Sequence, residues 1–305
     1  MTMTTTVPTQ GASLVDVLQQ VEVPAHALAI QFHCQASMAI KAAGTTLYID
    51  PWYSGYFDRV AKGQPFESHR RYPSPLNPQD VTNADYILIT HDHLDHLDPG
   101  AIPALVTAAP RAPFVAPEAA RAHLRELGVP ADRLTTIRIP AADTLSRSYE
   151  FDGFGVTAIK GTHDGWDYDN AAGYPWLGYI VRINALTFLH SGDTQAYDGQ
   201  AEALCPFTVD VACLPINGGT YRTRSKGFKG NLDYQEAADL GVAIGADWII
   251  PIHYGALSEN DEKGSRFVDY IEDRYPFQKI HPLRQGETIM YHKWDAAGRG
   301  KDVTA

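Results

Sequence analysis

Apolar positions along this chain fall into two patterns: short continuous runs, and stripes with helical spacing. Runs typical of buried strands occur at 27–32, 37–41, 45–50, 86–89, 114–116, 134–139, 153–160, 177–183, 186–189, 209–216 and 248–252. Helical spacing predicts helices at 99–108, 117–127, 233–244 and 264–274. Because strands and helices alternate in two successive halves, we expect an α/β fold in which two sheets are covered by outer helices.

The two ends of the chain suggest where this fold begins and ends. Residues 1–25 are predicted to form a polar N-terminal segment, residues 26–294 a single domain, and residues 295–305 a small, charged tail. Residues 1–11 lack the basic and apolar regions of a signal peptide, and no apolar run is long enough to span a membrane. We therefore expect a cytoplasmic protein without a membrane span.

The long stretch at 51–83 is polar and rich in proline, but it also holds aromatic residues such as Tyr53, Tyr56 and Phe57. Loops of this length inside a compact domain are usually functional or disordered. The aromatic residues favour an ordered loop or lid near a site.

The composition narrows the range of partners. The 305 residues include 25 Lys and Arg against 36 Asp and Glu, a formal net charge of −11. A broad basic surface for nucleic acid is therefore absent, and we expect no nucleic-acid partner. The 3 cysteines have no metal-finger spacing, and so small and odd a number favours a reducing compartment. The sequence leaves a homo-oligomer open.

The densest group of reactive side chains lies at 90–99, directly after the apolar run at 86–89. It contains His91, His93, Asp95 and His96. Open α/β sheets bind ligands where strands end, and imidazole and carboxylate are preferred ligands of divalent metals such as zinc. The alternative is a polar turn that happens to be rich in histidine. Few folds tolerate so many titratable groups in one turn without a metal, so the motif predicts a metal site.

Three later strand ends carry further ligand types. His163, Asp193 and His253 each follow an apolar run. A single histidine at a strand end is more often structural, but strand ends at one edge of a sheet converge in space. Together with the first motif, these residues favour a larger site that holds two ions.

The His-x-His-x-Asp-His motif and the order of the later residues resemble the metallo-β-lactamase superfamily. Within it, the segments 90–98, 190–193, 214–218 and 246–254 are most similar to the ascorbate-phosphate lactonase-like branch. The phospholipase D-like branch shares the first motif and the Gly-Asp-Thr segment. The chain departs from the expected glycine-containing turn at 33–36. The resemblance implies a four-layer αβ/βα sandwich of two mixed β-sheets with outer helices.

The resemblance also implies a ligand set for two divalent ions. One ion would be held by His91, His93 and His163, and the other by Asp95, His96 and His253, with Asp193 bridging both. The ligand types suit zinc or manganese, and the sequence does not choose between them.

Two further residues are candidates for orienting the ligand histidines, because such histidines need a partner on their other ring nitrogen. These residues are Asp50, which matches an early aspartate of the family, and His190. Asp92 and Asp98 are further candidates, although for Asp98 a helix cap before Pro99 is the simpler interpretation.

The function implied is a binuclear metal-dependent hydrolase. A hydroxide bridging two ions about 3.5–4 Å apart would attack a lactone or ester of an anionic, phosphorylated small molecule. Asp95 and Asp193 are the candidate catalytic residues, and either could move the proton. The alternatives are a phosphodiesterase of the phospholipase D-like branch, a non-catalytic metal-binding module, and mononuclear iron chemistry.

One basic segment stands out in this acidic chain. It runs over 217–230 and contains Arg222, Arg224 and Lys226, which are the candidate substrate-binding residues. Their charges would suit the phosphate or carboxylate of an anionic substrate. The alternative is a solvated surface loop.

Overall fold

The computed structural model describes residues 13–163 and 165–293. Within these ranges the chain forms fourteen strands and eight α-helices. The strands are β1 (Ala27–Cys34), β2 (Ser37–Ala42), β3 (Thr45–Ile49), β4 (Tyr86–Leu88), β5 (Phe114–Pro117), β6 (Leu134–Ile137), β7 (Tyr149–Phe151), β8 (Phe154–Lys160), β9 (Leu177–Ile183), β10 (Leu186–His190), β11 (Val211–Pro215), β12 (Trp248–Ile252), β13 (Lys279–Ile280) and β14 (Thr288–His292). The helices are α1 (Leu14–Gln20), α2 (Tyr56–Ala61), α3 (Ile102–Ala108), α4 (Arg121–Glu126), α5 (Gln200–Leu204), α6 (Tyr221–Ser225), α7 (Tyr234–Ala243) and α8 (Gly264–Arg274).

The strands form two seven-stranded sheets of similar construction. The first has the order β14-β1-β2-β3-β4-β5-β6, and the second has the order β13-β12-β11-β10-β9-β8-β7. In the first sheet, pairing is antiparallel from β14 to β3 and parallel from β3 to β6. In the second sheet, pairing is antiparallel from β7 to β10 and parallel from β10 to β13. Both sheets are therefore mixed, as the sequence predicts.

Apolar side chains fill three layers of packing. Between the sheets lie fully buried residues of both, such as Ile30, Val181 and Phe188. Helices α1, α3 and α4 cover the other face of the first sheet, and α7 and α8 cover that of the second. The four-layer αβ/βα sandwich is confirmed. None of the helices in the described ranges is long and apolar enough to cross a bilayer.

Several elements differ from the sequence prediction. Helix α1 lies inside the segment 1–25 that was predicted to be only polar. Ser13 and Asp16 form its capping box, and Val15 and Leu18 bury its apolar face against the first sheet. The predicted helix at 117–127 is divided into a 3-10 turn, Glu118–Ala120, and α4. Residues 1–12 and the predicted tail at 295–305 lie outside the described residues.

The loops after five strands meet at one edge of the sandwich. Asp50 follows β3, the His91 motif follows β4, and His163, Asp193 and His253 come after β8, β10 and β12. Hydrogen bonds from Leu177 N to Thr90 O (3.0 Å) and from Tyr179 Oη to Ile89 O (2.6 Å) join the two sheets beside the motif. The fold therefore brings the sequence-predicted residues to one place.

Candidate metal centre

The loop after β4 turns tightly enough to send its side chains in different directions. Backbone hydrogen bonds from His96 N (3.0 Å) and Leu97 N (2.7 Å) to His93 O close the turn. Asp98 then accepts hydrogen bonds from the backbone N–H groups of Tyr53 (3.0 Å), Ser54 (2.6 Å) and Gly100 (2.9 Å). Asp98 therefore caps the next turn locally and also fastens the start of the loop 51–83 to the motif.

Asp193 lies at the centre of the predicted ligands. Its Oδ2 is 3.4 Å from His253 Nε2, 3.7 Å from His163 Nε2 and 3.9 Å from His91 Nε2. Its Oδ1 is 3.2 Å from His96 Nε2. One carboxylate is thus shared by four imidazoles from three different loops.

A glycine allows Asp193 to come this close. Gly192 has φ +60°, and a Cβ there would lie 2.6 Å from Leu177 O and 3.0 Å from Thr90 Cβ. A larger residue would push the loop after β10 away from the motif.

The candidate ligand atoms fall into two groups. His91, His93 and Asp193 form one, and Asp95, His96 and His253 form the other, with the ligand atoms of each group within 4.8 Å of one another. His163 lies beside the first group, with its ring centroid 5.2 Å from that of His93. The second group consists of the residues that the resemblance implies, whereas the first has Asp193 in the place implied for His163.

Asp50 orients two of these histidines. Its Oδ2 accepts a hydrogen bond from His96 Nδ1 (2.7 Å) and another from Thr90 Oγ1 (2.6 Å). Since Thr90 donates to Asp50, its oxygen is free to accept from His91 Nδ1, 3.0 Å away. These hydrogen bonds turn the Nε2 atom of each imidazole toward the centre, where it can bind an ion once it carries no proton. This role of Thr90 was not predicted, although a hydroxyl directly before the motif indicates that such a relay can form.

Two backbone carbonyls fix further histidines. His163 Nδ1 donates to Gly230 O (2.9 Å), which leaves Nε2 facing Asp193. His190 uses both ring nitrogens elsewhere: Nε2 donates to Ala36 O (2.9 Å), and Nδ1 accepts from Gly192 N (3.2 Å). His190 therefore supports the loop that carries Asp193 and is not placed to bind an ion.

Buried polar atoms without partners test whether the site fits metal ions. Among the described residues, His91 Nε2, His96 Nε2 and Asp193 Oδ1 are buried and lack a hydrogen bond of acceptable geometry. Leaving such atoms unpaired is costly, and all three face the same small space. Imidazole nitrogens and carboxylate oxygens are what zinc and manganese bind, so the residues present fit divalent ions.

Burial sets the charge of the first group of histidines. It lowers the pKa of His91 well below its ordinary value and also lowers the pKa of His93. It lowers the pKa of His163 to about 4. These three imidazoles are neutral near pH 7, which is the form that binds metal.

Carboxylates dominate the second group. Burial lowers the pKa of His96 and His253, but the neighbouring carboxylates, of which Asp193 has the largest effect, together outweigh it, so that the pKa of His96 lies well above its usual value and that of His253 rises to about 9. Burial alone would raise the pKa of Asp95 and Asp193, but the neighbouring imidazolium groups hold both below their usual range. A cation is therefore favoured here, and a metal ion would replace these protons.

Gln35 is a site residue that the sequence analysis missed. It is the first residue of the tight turn between β1 and β2, with φ +57°, a region that favours glycine. Its side chain is buried, and its Nε2 lies 3.0 Å from Asp95 Oδ2 and 3.1 Å from both ring nitrogens of His253. Its carbonyl accepts from His253 N at 2.7 Å. The lack of the expected glycine at 33–36 was the sequence feature that could have indicated this role of Gln35.

The residues of the basic segment have different surroundings in the structure. Arg222 and Lys226 both pair with Glu259, at 3.1 Å each, and Arg224 lies exposed in α6. Lys229, the last cation of the basic segment, lines the cleft beside the ligands. Its ammonium lies 4.6 Å from the ring centroid of Trp176.

Comparison with known proteins places the chain in a family. The model of the beta-lactamase superfamily domain matches residues 45–254, a range that includes every candidate ligand. The chain belongs to this superfamily. A possible metal-dependent hydrolase from Veillonella parvula has the same fold, with a TM-score of 0.68 at 19% identity over 86% of this chain and 98% of that one. The superfamily and the fold predicted from the sequence are thus confirmed.

Three relatives illustrate the range of the superfamily. An uncharacterized protein of Mycobacterium tuberculosis is 27% identical over 234 residues, 75% of this chain, but the match spans only 59% of that relative's length. A UPF0173 metal-dependent hydrolase of Nitratidesulfovibrio vulgaris is 23% identical over 261 residues, 85% of this chain and 94% of its own. An N-acyl-phosphatidylethanolamine-hydrolyzing phospholipase D of Caenorhabditis elegans is 27% identical over 263 residues, 82% of this chain and 68% of its own.

Proposed function

We propose that this chain is a metal-dependent hydrolase with two divalent ions, zinc or manganese. His91, His93 and His163 hold one ion, Asp95, His96 and His253 hold the other, and Asp193 lies between them. The observation that carries the proposal is the set of buried ligand atoms of His91, His96 and Asp193, which face one another without a well-formed hydrogen bond. Bound divalent ions supply Lewis acidity and lower the pKa of water toward 7.

The residues divide the remaining work between them. Asp95 is the more accessible of the two candidate catalytic carboxylates, with 14% of its side chain exposed against 4% for Asp193. We assign to Asp95 the proton that leaves the attacking water. Asp193, enclosed by imidazoles, keeps the two halves of the site together.

The substrate we propose is a lactone or ester of a small anionic molecule. The cleft beside the ligands has a volume of about 290 Å³, near the lower end for small-molecule sites, and Lys229 places a positive charge in it. A phosphodiesterase is the second candidate, because the Caenorhabditis elegans relative is a phospholipase D. A non-catalytic module is disfavoured because the whole ligand set is present.

Metal removal tests the proposal. We expect protein loaded with zinc or manganese to hydrolyse a panel of γ-lactones and carboxylic esters, to lose this activity after chelation, and to recover it when either ion returns. Hydrolysis of bis(4-nitrophenyl) phosphate without any lactone or ester turnover would select the phosphodiesterase. Full activity after exhaustive chelation would refute metal dependence.

Gln35→Leu tests how the second ion is held. The substitution keeps most of the side-chain volume but removes the amide beside Asp95 and His253. Partners of metal ligands typically contribute about 10- to 100-fold to metal affinity, so we expect a loss of that size in one of two calorimetric binding events. Gln278→Leu is the matched control, because Gln278 donates to the carbonyls of Ala246 and Asp247, away from the ligands. Equal affinities in both variants would show that Gln35 does not support the site.

A further inference from the structure

The wall of the cleft beside the metal ligands is mainly apolar. Phe57, Phe66, Leu94, Phe228 and Leu257 all line it. They come from four separate parts of the chain: the loop 51–83, the motif after β4, the basic segment, and the loop after β12. The cleft therefore has an aromatic and aliphatic wall beside the cluster of ligand residues.

This wall is a fixed part of the fold. Phe57 and Leu257 belong to a buried cluster with Trp52, and Phe66 and Leu94 pack against the same cluster. The guanidinium of Arg70 lies 3.4 Å from the ring centroid of Trp52, and Arg70 also hydrogen-bonds to Trp52 O. These contacts hold the segment 51–83, which was predicted as an ordered loop or lid, and its side chains Phe57 and Phe66 line the cleft.

The charged side chains around the cleft limit how much negative charge a substrate can carry. Arg222 and Lys226 both pair with Glu259, whose carboxylate offsets one of their two charges, and neither side chain lines the cleft. Asp92, which lines the cleft, is paired with His123 at 2.7 Å. Lys229 is the basic side chain that the described residues place on the cleft wall. The site therefore suits one negative charge better than a multiply charged phosphorylated sugar.

We infer that the cleft is a subsite for an acyl or aryl group, and that the substrate is an amphiphilic monoanionic ester or lactone. The apolar group packs on Phe57, Phe66 and Phe228, and the single anionic group lies near Lys229. This inference rests on the proposed function for the reaction, but the binding of the apolar group does not depend on hydrolysis. It replaces the phosphorylated substrate expected from the sequence by a more lipophilic one.

Binding of linear carboxylates tests the subsite directly. We titrate metal-loaded protein with butanoate, hexanoate and octanoate by calorimetry. Each methylene buried on the wall contributes about fourfold to affinity, so we expect affinity to rise steeply with chain length. Phe228→Ala removes a half-buried side chain that belongs to none of the buried core clusters, and it should flatten the rise. Phe228→Leu should restore much of it, and Phe277→Ala, 96% exposed elsewhere, should leave it unchanged.

The anionic part and the reaction are tested separately. Lys229→Gln should weaken octanoate binding and leave 1-octanol binding unchanged. On γ-lactones with side chains from methyl to hexyl, kcat/KM should rise with length in the same proportion as affinity. Affinity independent of chain length, or equal slopes in the native protein and Phe228→Ala, would overturn the subsite while metal-dependent hydrolysis stood. A rising affinity series without any hydrolysis would support the subsite and refute the proposed function.

Discussion

Asp193→Ala is expected to abolish metal binding and hydrolysis together. Among the residues that the structure describes, Asp193 is the one carboxylate within 4 Å of imidazoles from both ligand groups, so its removal leaves neither ion with a full ligand set. Losing a mere partner of a ligand costs about 10- to 100-fold in affinity or activity, and losing a shared ligand should exceed that range. Bound metal, measured by elemental analysis, and kcat/KM should fall in parallel, while far-UV circular dichroism is retained.

Asp198→Ala is the matched control for this experiment. Asp198 is an exposed aspartate five positions further along the same loop, so its replacement changes the net charge equally without touching a ligand. We expect native metal content and activity in this variant. If Asp193→Ala retained both ions, the central position of Asp193 would have no functional meaning, and the proposed ligand set would be wrong.

The apolar pattern and the family resemblance were enough to predict the fold and which residues come together at the candidate site. Apolar runs such as those of β9 and β12 are long, are bounded by turn residues and match the observed strands closely. The strand-end rule then placed His163, Asp193 and His253 beside the His91 motif. The two-residue strand β13 and helix α1 were missed, because so short a strand carries little pattern and α1 presents only two buried residues.

The contacts around the ligands could not be predicted in the same way. The sequence places Arg222 and Lys226 in one basic segment, but both pair with Glu259, which lies more than thirty residues away in another loop. Lys229 belongs to the same segment but lines the cleft, a difference that the local sequence does not reveal. The role of Thr90 depends on the distance between β3 and β4, and that of Gln35 on the approach of the loop after β12.

Three of the nine non-glycine residues with left-handed backbone in the described ranges support this site. Gln35 (φ +57°), Asp50 (φ +47°) and His253 (φ +59°) all adopt left-handed conformations although none is glycine. Each such residue costs about 1–3 kcal/mol unless its surroundings compensate. Here the compensation is visible: Asp50 accepts three hydrogen bonds, and Gln35 and His253 bond to each other. Because all three of these residues hold or support ligand atoms, we interpret the strain as part of the function of the site.

Asp50→Asn is expected to weaken both metal-binding events, although Asp50 is not itself a predicted ligand. Asparagine tolerates the positive φ and preserves the shape, but its amide presents N–H groups where Thr90 and His96 need an acceptor. His96 belongs to one ligand group and His91, reached through Thr90, to the other. We expect about 10- to 100-fold lower metal affinity, measured by competition with a chelator.

Two further variants separate orientation of the ligands from simple loss of a buried carboxylate. Thr90→Val breaks only the relay to His91, so its effect should be confined to one of the two binding events. Asp210→Asn alters another buried aspartate, which accepts from Thr187 N (2.8 Å) and Tyr291 Oη (3.2 Å) away from the site. It should lower the melting temperature and leave metal affinity native. If Asp50→Asn also lowered only the melting temperature and left metal affinity native, Asp50 would be a structural residue. A residue that orients two ligands must affect metal binding as well as stability.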